Sequence, residues 1–354
     1  MSVNYWSRWY RIRREYGFLS LWEVIKYRIQ ALKADACLLD TPIHGNLGDH
    51  AIVQAQKQLL SGLGFKVLDI PQIILMNREK GFASVIPRNK TIFLPGGGFI
   101  GYLWPEEEYE VRKIIQSFPN HRIIIFPQTV TFDMETPDGR EFMRVSHKIY
   151  SSHKNLTIFV RDTQSRDFMQ EYMPDVKSIY VPDTVTMFRP GLPEISRHDI
   201  LFSLRNDKEK AISDDMVTIL EELVKKRFPG EKIRTTDNVV EGGVFPWMRE
   251  ERLSQKLMEY ASAKLVITDR LHGMLMAAIT NTHCIAFDNS NGKVGAQYEW
   301  IRRNSYIHMV HNMDELMGLV ENMNLDNKYH YDYDSAEEMM KPLVEYITDT
   351  GYGK

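Results

Sequence analysis

The sequence predicts an α/β protein made of two successive parallel-sheet units that face one another across a cleft. Three observations carry this expectation. From residue 34 onward, short apolar runs alternate with helical patterns, the spacing of strand–helix–strand units that build a parallel sheet covered on both faces. Midway, Arg189-Pro-Gly-Leu-Pro-Glu194 interrupts both periodicities, and a second alternating series follows it. At ~150 residues per domain, 354 residues give an expectation of two domains. The chain therefore divides into a leader (1–34), a first domain (35–190), a second domain (191–315) and a helical tail (316–354).

In the first domain the expected strands are Ala36–Leu39, Lys66–Ile70, Thr91–Leu94, Arg122–Phe126, Leu156–Val160 and Ser178–Val181. Helical patterns lie between them at Ala51–Leu60, Tyr109–Phe118 and Ser165–Tyr172. The second series runs through strands at Asp199–Leu204, Lys232–Arg234, Lys264–Thr268 and Cys284–Phe287. Its helices are expected at about Asp214–Arg227, Glu250–Ala261 and Met274–Thr280, with more helix after Met313.

Composition narrows the function. Hydrophobic residues make up 43% and charged residues 26%, the mixture of an ordinary globular enzyme. The 44 basic and 47 acidic side chains leave a formal charge of −3, which provides no global footprint for nucleic acid. An anionic ligand must then be held by a local cluster of positive groups. Cys37 and Cys284 sit in apolar runs and read as buried strand thiols of a reducing compartment, which points to the cytoplasm. Residues 1–33 carry seven Lys/Arg against two Glu, interleaved with Trp6, Trp9, Tyr10, Tyr16, Phe18, Trp22 and Tyr27. This leader has no apolar signal-peptide core, and no stretch is long enough to span a bilayer. Two readings stay open for it: a helix lying on an anionic membrane surface at the inner face of the cell membrane, or a helix packing its aromatic side on the first domain.

Ligands of open parallel sheets bind beyond the carboxyl ends of the strands, so the residues just after each strand carry the functional argument. The first strand leads into His44-Gly45-Asn46-Leu47-Gly48-Asp49-His50. Gly45 and Gly48 allow close approach to a ligand, and the following helix offers free amides and a positive dipole end. Asp49 is either a helix cap or a catalytic carboxylate, and Asn46 is open to the plainer role of a turn residue. The spacing is not that of a dinucleotide fingerprint. The third strand ends in Gly96-Gly97-Gly98, either an anion-binding nest or a tight strand-to-helix crossover. Arg161-Asp162 reads as a structural ion pair with Ser165 as a helix cap. Val181-Pro182-Asp183 bears only a faint likeness to a stretch of nucleotide-sugar glycosyltransferases. In the second half, Arg205 follows a strand, Arg270-Leu271-His272-Gly273 joins a strand to a helix, and Lys293 stands in a turn after the next strand. No histidine set has metal-ligand spacing, and no Gly-x-Ser-x-Gly elbow is present.

Taken in order, Gly45-Asn46-Leu47-Gly48-Asp49, Pro95-Gly96-Gly97-Gly98, Arg161-Asp162…Ser165, Ser203-Leu204-Arg205 and Arg270-Leu271-His272-Gly273 with Lys293 resemble the polysaccharide pyruvyl transferase family. The resemblance covers about residues 36–300. It implies two Rossmann-like domains in a glycosyltransferase-B-like arrangement, and transfer of the carboxyvinyl unit of phosphoenolpyruvate onto a sugar as a pyruvate ketal, in bacterial surface polysaccharide biosynthesis. Arg205, Arg270 and His272 match family positions that bind phosphoenolpyruvate, and Leu271, between the last two, is counted with the expected binding residues. The basic leader is not part of the family pattern.

The chemistry fits these residue types. Phosphoenolpyruvate carries a carboxylate and a phosphate, which call for two or three cations and oriented amides. Arginine's planar fork holds two oxygens at once, so Arg205 and Arg270 are the expected clamps, assisted by Lys293. His272 is the expected general acid, and Asp49, with His44, the base for the acceptor hydroxyl. Neither a metal nor a cofactor is expected, the donor being phosphoenolpyruvate and the acceptor a sugar that is lipid-linked, polymeric or free. Two rival readings are a nucleotide-sugar-dependent glycosyltransferase of the same architecture and a non-catalytic sugar- or membrane-binding protein.

Overall fold

The computed structural model describes residues 21–76, 79–84, 86–205, 212–289 and 292–349. Of the basic leader, only residues 21–34 fall in that set, as the helix Leu21–Lys33 and Ala34, and the expectation of a membrane or packing role for the residues before them lies outside the described residues. Among the described residues, no helix is long and apolar enough to cross a membrane.

Twelve strands are described, in two wholly parallel sheets. The first holds β1 (Ala36–Thr41), β2 (Val67–Pro71), β3 (Thr91–Leu94), β4 (Gly97–Gly101), β5 (Ile123–Thr131), β6 (Leu156–Val160) and β7 (Ser178–Tyr180). The second holds β8 (Ile200–Ser203), β9 (Ile233–Thr235), β10 (Leu265–Thr268), β11 (His283–Phe287) and β12 (Ile307–Val310). Strands of such sheets are covered on both faces and read as continuous apolar runs. Ile123-Ile124-Ile125-Phe126 is the clearest case: all four are fully buried, each side chain contributing roughly 1.5–3 kcal/mol of transfer free energy.

The spatial orders are β2-β1-β3-β5-β6-β7 and β9-β8-β10-β11-β12. Each unit's first strand lies inside its sheet, flanked by its second and third, so the chain winds first one way and then the other. The reversal falls between β1 and β3 and between β8 and β10, and ligands of doubly wound sheets bind at such switch points. The two Rossmann-like units form the glycosyltransferase-B-like arrangement that the resemblance implies.

One expectation fails here. Gly96–Gly98 is neither a strand-to-helix crossover nor a turn-like nest, because Gly97–Gly101 is a strand, β4, paired with the C-terminal half of β5 (Gly97 opposite Gln128, Gly101 opposite Thr131). Glycine is needed because the backbones nearly touch: a Cβ on Gly101 would stand 1.9 Å from the Thr131 carbonyl oxygen.

The units share core. Helix Leu47–Gly62 follows β1 and begins four residues earlier than its apolar periodicity suggests. Its Val53 and Leu60 pack on the first sheet, while Ala51, Ile52 and Ala55 pack with Leu253, Leu257, Met274 and Leu275 of the second unit. A helix apolar on two faces is a buried helix. The C-terminal segment divides: Leu316 and Val320 of helix Met313–Asn322 pack on the second sheet, whereas Met340, Leu343 and Ile347 of helix Tyr333–Thr348 return to the first.

Candidate active site

On the first unit, the loop after β1 is held by the second unit's backbone. Val244 N donates to Ile43 O, Val240 N to Gly45 O and Leu47 N to Asn238 O, at 2.8–2.9 Å. Gly45 is glycine for that reason: a Cβ would lie 1.9 Å from Val240 O. Asn46 is an extended residue capping helix Leu47–Gly62, its side chain accepting from Gly48 N. The cap is therefore Asn46 and not Asp49. Asp49 instead stands in the first turn with Asn46 Nδ2 donating to its Oδ2 at 2.8 Å and His44 Nε2 3.5 Å from the same oxygen. The pair is partly open, His44 at 42% and Asp49 at 29% side-chain exposure, so an acceptor can reach the carboxylate.

On the second unit, the switch point brings the ends of β8 and β10 together. Arg205 N donates to Asp269 Oδ1 at 2.8 Å, and burial pushes the Asp269 carboxyl up. Arg270, almost wholly buried, meets Asp237 at 2.8 Å through Nη2, while its Nε is buried with no hydrogen-bond partner. The Leu271 side chain packs in the core shared by the units. What Leu271 can offer a ligand is its backbone amide, in the first turn of helix Leu271–Ile279.

His272, next in that helix, faces the first unit. A Cβ on Gly48 would lie 2.5 Å from His272 Nδ1, so the imidazole occupies space that only a glycine leaves. Its Nε2 lies 3.6 Å from Asp183 Oδ2. Asp183 follows β7 and is fully buried; its Oδ2 takes Arg161 Nη1 at 2.5 Å and its Oδ1 accepts Val185 N at 2.9 Å. Burial by itself would raise the Asp183 carboxyl, but the His272 imidazole and the Arg161 guanidinium outweigh it and hold it at about 2. Arg161 also donates from Nε to Thr129, and its carbonyl accepts from Gln297 and Trp300 of the second unit. Arg161 thus pairs with Asp183, not with Asp162. Asp162 caps helix Thr163–Tyr172 by accepting Ser165 N, and Ser165 Oγ accepts Val130 N; the cap expected at Ser165 belongs to Asp162.

Gly98 closes the circuit. A Cβ there would stand 3.1 Å from an Arg161 guanidinium nitrogen and 3.6 Å from Lys293 Nζ. Lys293 is the first residue of helix Lys293–Ile301, behind the left-handed Gly292, rather than a turn residue. Three helix N-termini (Leu47, Leu271 and Lys293) thus open where the units meet, each with the positive end of its dipole there. The structure joins His272, Gly48, Gly98 and Lys293 through Arg161 and Asp183, sets Asp49 and His44 beside Asn46, and puts Arg205 and Arg270 together around Asp269.

Sequence reasoning missed Asp183, Arg161 and an aromatic rim. Phe245 and Trp247 stack with planes 3° apart and centroids 4.7 Å apart, and Trp247 is 67% exposed. They adjoin Val244, which is bonded to Ile43 just ahead of His44. A lone exposed Trp at the start of a helix was the only signal. Among the described residues, no group of three or more His, Cys, Asp or Glu is placed to hold a metal ion.

The sequence pattern of the family described as "Polysaccharide pyruvyl transferase" matches residues 46–291. The chain belongs to this family. The match takes in Asn46, Asp49, Arg205, Arg270 and His272, while His44, Gly45 and Lys293 lie just beyond its ends. General stress protein 30 of Bacillus subtilis is 29% identical over 297 residues, 82% of this chain and 85% of its own length. Pyruvyl transferase 1 of Schizosaccharomyces pombe is 26% identical over 273 residues, 73% of this chain and 67% of its own. In fold, an uncharacterised protein of Klebsiella pneumoniae superposes with a TM-score of 0.52 at 15% identity, over 83% of this chain and all of that one. Membership places the chain among pyruvyl transferases of polysaccharide biosynthesis.

Proposed function

We propose that the chain transfers the carboxyvinyl unit of phosphoenolpyruvate onto two hydroxyls of a sugar residue, closing a pyruvate ketal and releasing phosphate. The observation that supports this best is one partly buried histidine set among cations and three helix N-termini at the meeting of two sheets. A small trianion is the ligand such a site suits. Arg205 and Arg270 clamp its carboxylate and phosphate, and Lys293 compensates the leaving phosphate, so the reaction draws its charge balance from protein cations.

His272 protonates the methylene carbon, the π pair forming the new C–H bond and leaving an oxocarbenium-like centre at the adjacent carbon. A sugar hydroxyl attacks that centre and loses its proton to Asp49, beside His44. The second hydroxyl then forms the other C–O bond as the C–O bond to phosphate breaks, its proton leaving with the phosphate. The stacked face of Trp247 offers a flat apolar surface of the kind a pyranose ring packs on.

A thermal-shift series tests the donor. Phosphoenolpyruvate should raise Tm in proportion to the logarithm of its concentration, and uridine and guanosine nucleotides should not; the reverse result would favour a nucleotide-sugar glycosyltransferase. Arg270→Ala should weaken that shift by roughly ten- to a hundredfold in Kd. His272→Ala should keep the shift and lower phosphate release by roughly 10²–10⁴-fold. Retained turnover would remove His272 from the acid role.

A further inference from the structure

The two ring nitrogens of His272 have different surroundings. Nε2 is buried, makes no hydrogen bond within reach, and looks at Asp183 Oδ2 from 3.6 Å. Nδ1 is on the side of Gly48, and the side chain keeps 12% of its surface open although Nε2 is sealed. We propose that Asp183, anchored by Arg161, is the positioning residue of His272, and that Nδ1, on the side of Gly48 and away from Asp183, is the nitrogen that meets the substrate.

This proposal rests on the reading of His272 as the acid. In the imidazolium, the Nε2 proton faces Asp183 and the Nδ1 proton lies on the opposite edge of the ring, beside Gly48. When the Nδ1–H bond breaks and the methylene carbon takes the proton, the ring is left as the neutral Nε2–H tautomer, the form a carboxylate opposite Nε2 favours. Asp183 remains charged throughout, and the ring regains its Nδ1 proton from solvent. The groups facing Asp183 are Arg161 from the end of β6, His272, the Val185 amide of the turn Thr184–Met187, and Gln297, which accepts the Asp183 amide. Arg161 is the permanent cation among them, so it holds Asp183 ionised before the imidazole takes up its proton.

The arrangement also spans the molecule. Asp183, Arg161 and Gly48 come from the first unit's side and His272 from the second. The acid is therefore assembled only where the two units meet, which explains why a strand-end histidine needs a glycine in a helix after β1.

The decisive measurement is the ring-nitrogen NMR spectrum of the ¹⁵N-histidine-labelled full chain, assigned by comparison with His272→Gln. The neutral His272 ring should carry its proton on Nε2 with Nδ1 bare; a proton on Nδ1 would overturn the proposal without any variant at position 183. Asp183→Asn should redistribute the tautomers, lower kcat roughly 10- to 1,000-fold and leave KM for phosphoenolpyruvate within about threefold. It should also move the pH profile of kcat. An unchanged tautomer and profile in that variant would dispose of the positioning role. Gly48→Ala should abolish turnover while the chain still unfolds cooperatively, and a turnover within threefold of wild type would reject Nδ1 as the reacting nitrogen. Because the tautomer is read without phosphoenolpyruvate, a wild-type chain with the expected tautomer and no response to that donor would fail the proposed function and the role of Nδ1 in it, and leave only the positioning of His272 by Asp183 standing.

Discussion

Two buried arginine–aspartate pairs lie where the units meet, and they are built to opposite rules. Arg249, from helix Pro246–Ala261 of the second unit, is 1% exposed and reaches Asp69 and Thr41 of the first. All three of its guanidinium nitrogens are engaged: Nε donates to His50 Nδ1, Nη1 to Asp69, Nη2 to Thr41 Oγ1 and the Pro42 carbonyl. His50 in turn bonds the His44 carbonyl through Nε2 at 2.7 Å. The Arg161–Asp183 pair is as deeply buried, yet around it His272 Nε2, and at the neighbouring strand ends Arg270 Nε and Asp269 Oδ2, are sealed from water without a hydrogen bond. An unmade buried hydrogen bond costs about 1–3 kcal/mol. A closed network specifies how two units sit together, while an open one is where a charged ligand can complete the set.

Arg249→Ala tests the closed network most severely. It leaves Asp69 buried without its partner, and the stability lost in urea unfolding should be about 3–5 kcal/mol. His272→Ala should lose turnover and little stability. If the two variants exchanged these signatures, the contrast between lock and site would collapse.

Acid sharpens the same contrast. Burial first, then the charge of Arg249, holds His50 down at about 3, so the fold uses the neutral ring as an acceptor. A histidine whose folded value lies below its unfolded value binds its proton first in the unfolded chain. Its contribution is complete above about pH 6.5 and is lost as pH falls toward the folded value of about 3. By pH 4.5 the loss should be about 2.7 kcal/mol, and His50→Gln should flatten the stability–pH curve between pH 6.5 and 4.5. An equal acid slope in that variant would show that the lock does not depend on a neutral His50.

The smallest effect is expected at the rim. Trp247→Ala should leave stability nearly unchanged, since the ring is mostly exposed, and raise KM for a sugar acceptor roughly three- to tenfold. An unchanged acceptor KM would remove the aromatic face from the site.

Much of this was legible in local chemistry. Strand–helix alternation with fully apolar strands identifies parallel sheets, and glycine, arginine and histidine at strand ends mark where a ligand is to be sought, because periodicity and post-strand position are properties of short segments. Arg270, His272 and Asp49 were singled out as candidates that way. Asp183 and Arg161 were not: locally, one belongs to a stretch with a faint glycosyltransferase likeness and the other is half of an Arg–Asp dipeptide, and their partners are 22 and 89 residues distant (183 less 161, and 272 less 183). Lys293 was placed in a turn and Gly96–Gly98 in a crossover or nest, where the structure has the start of a helix and a strand.

By itself, then, the sequence determined two α/β units, a nearly neutral surface with a formal charge of −3, and a set of cations waiting after strands. Only the tertiary structure decided which carboxylate faces His272, why Gly48 cannot be alanine, and which arginine locks the units rather than serving the site. Those are matters of distance between segments far apart in the chain, and a burial that makes one unpaired nitrogen costly exists only once the two sheets have closed on each other.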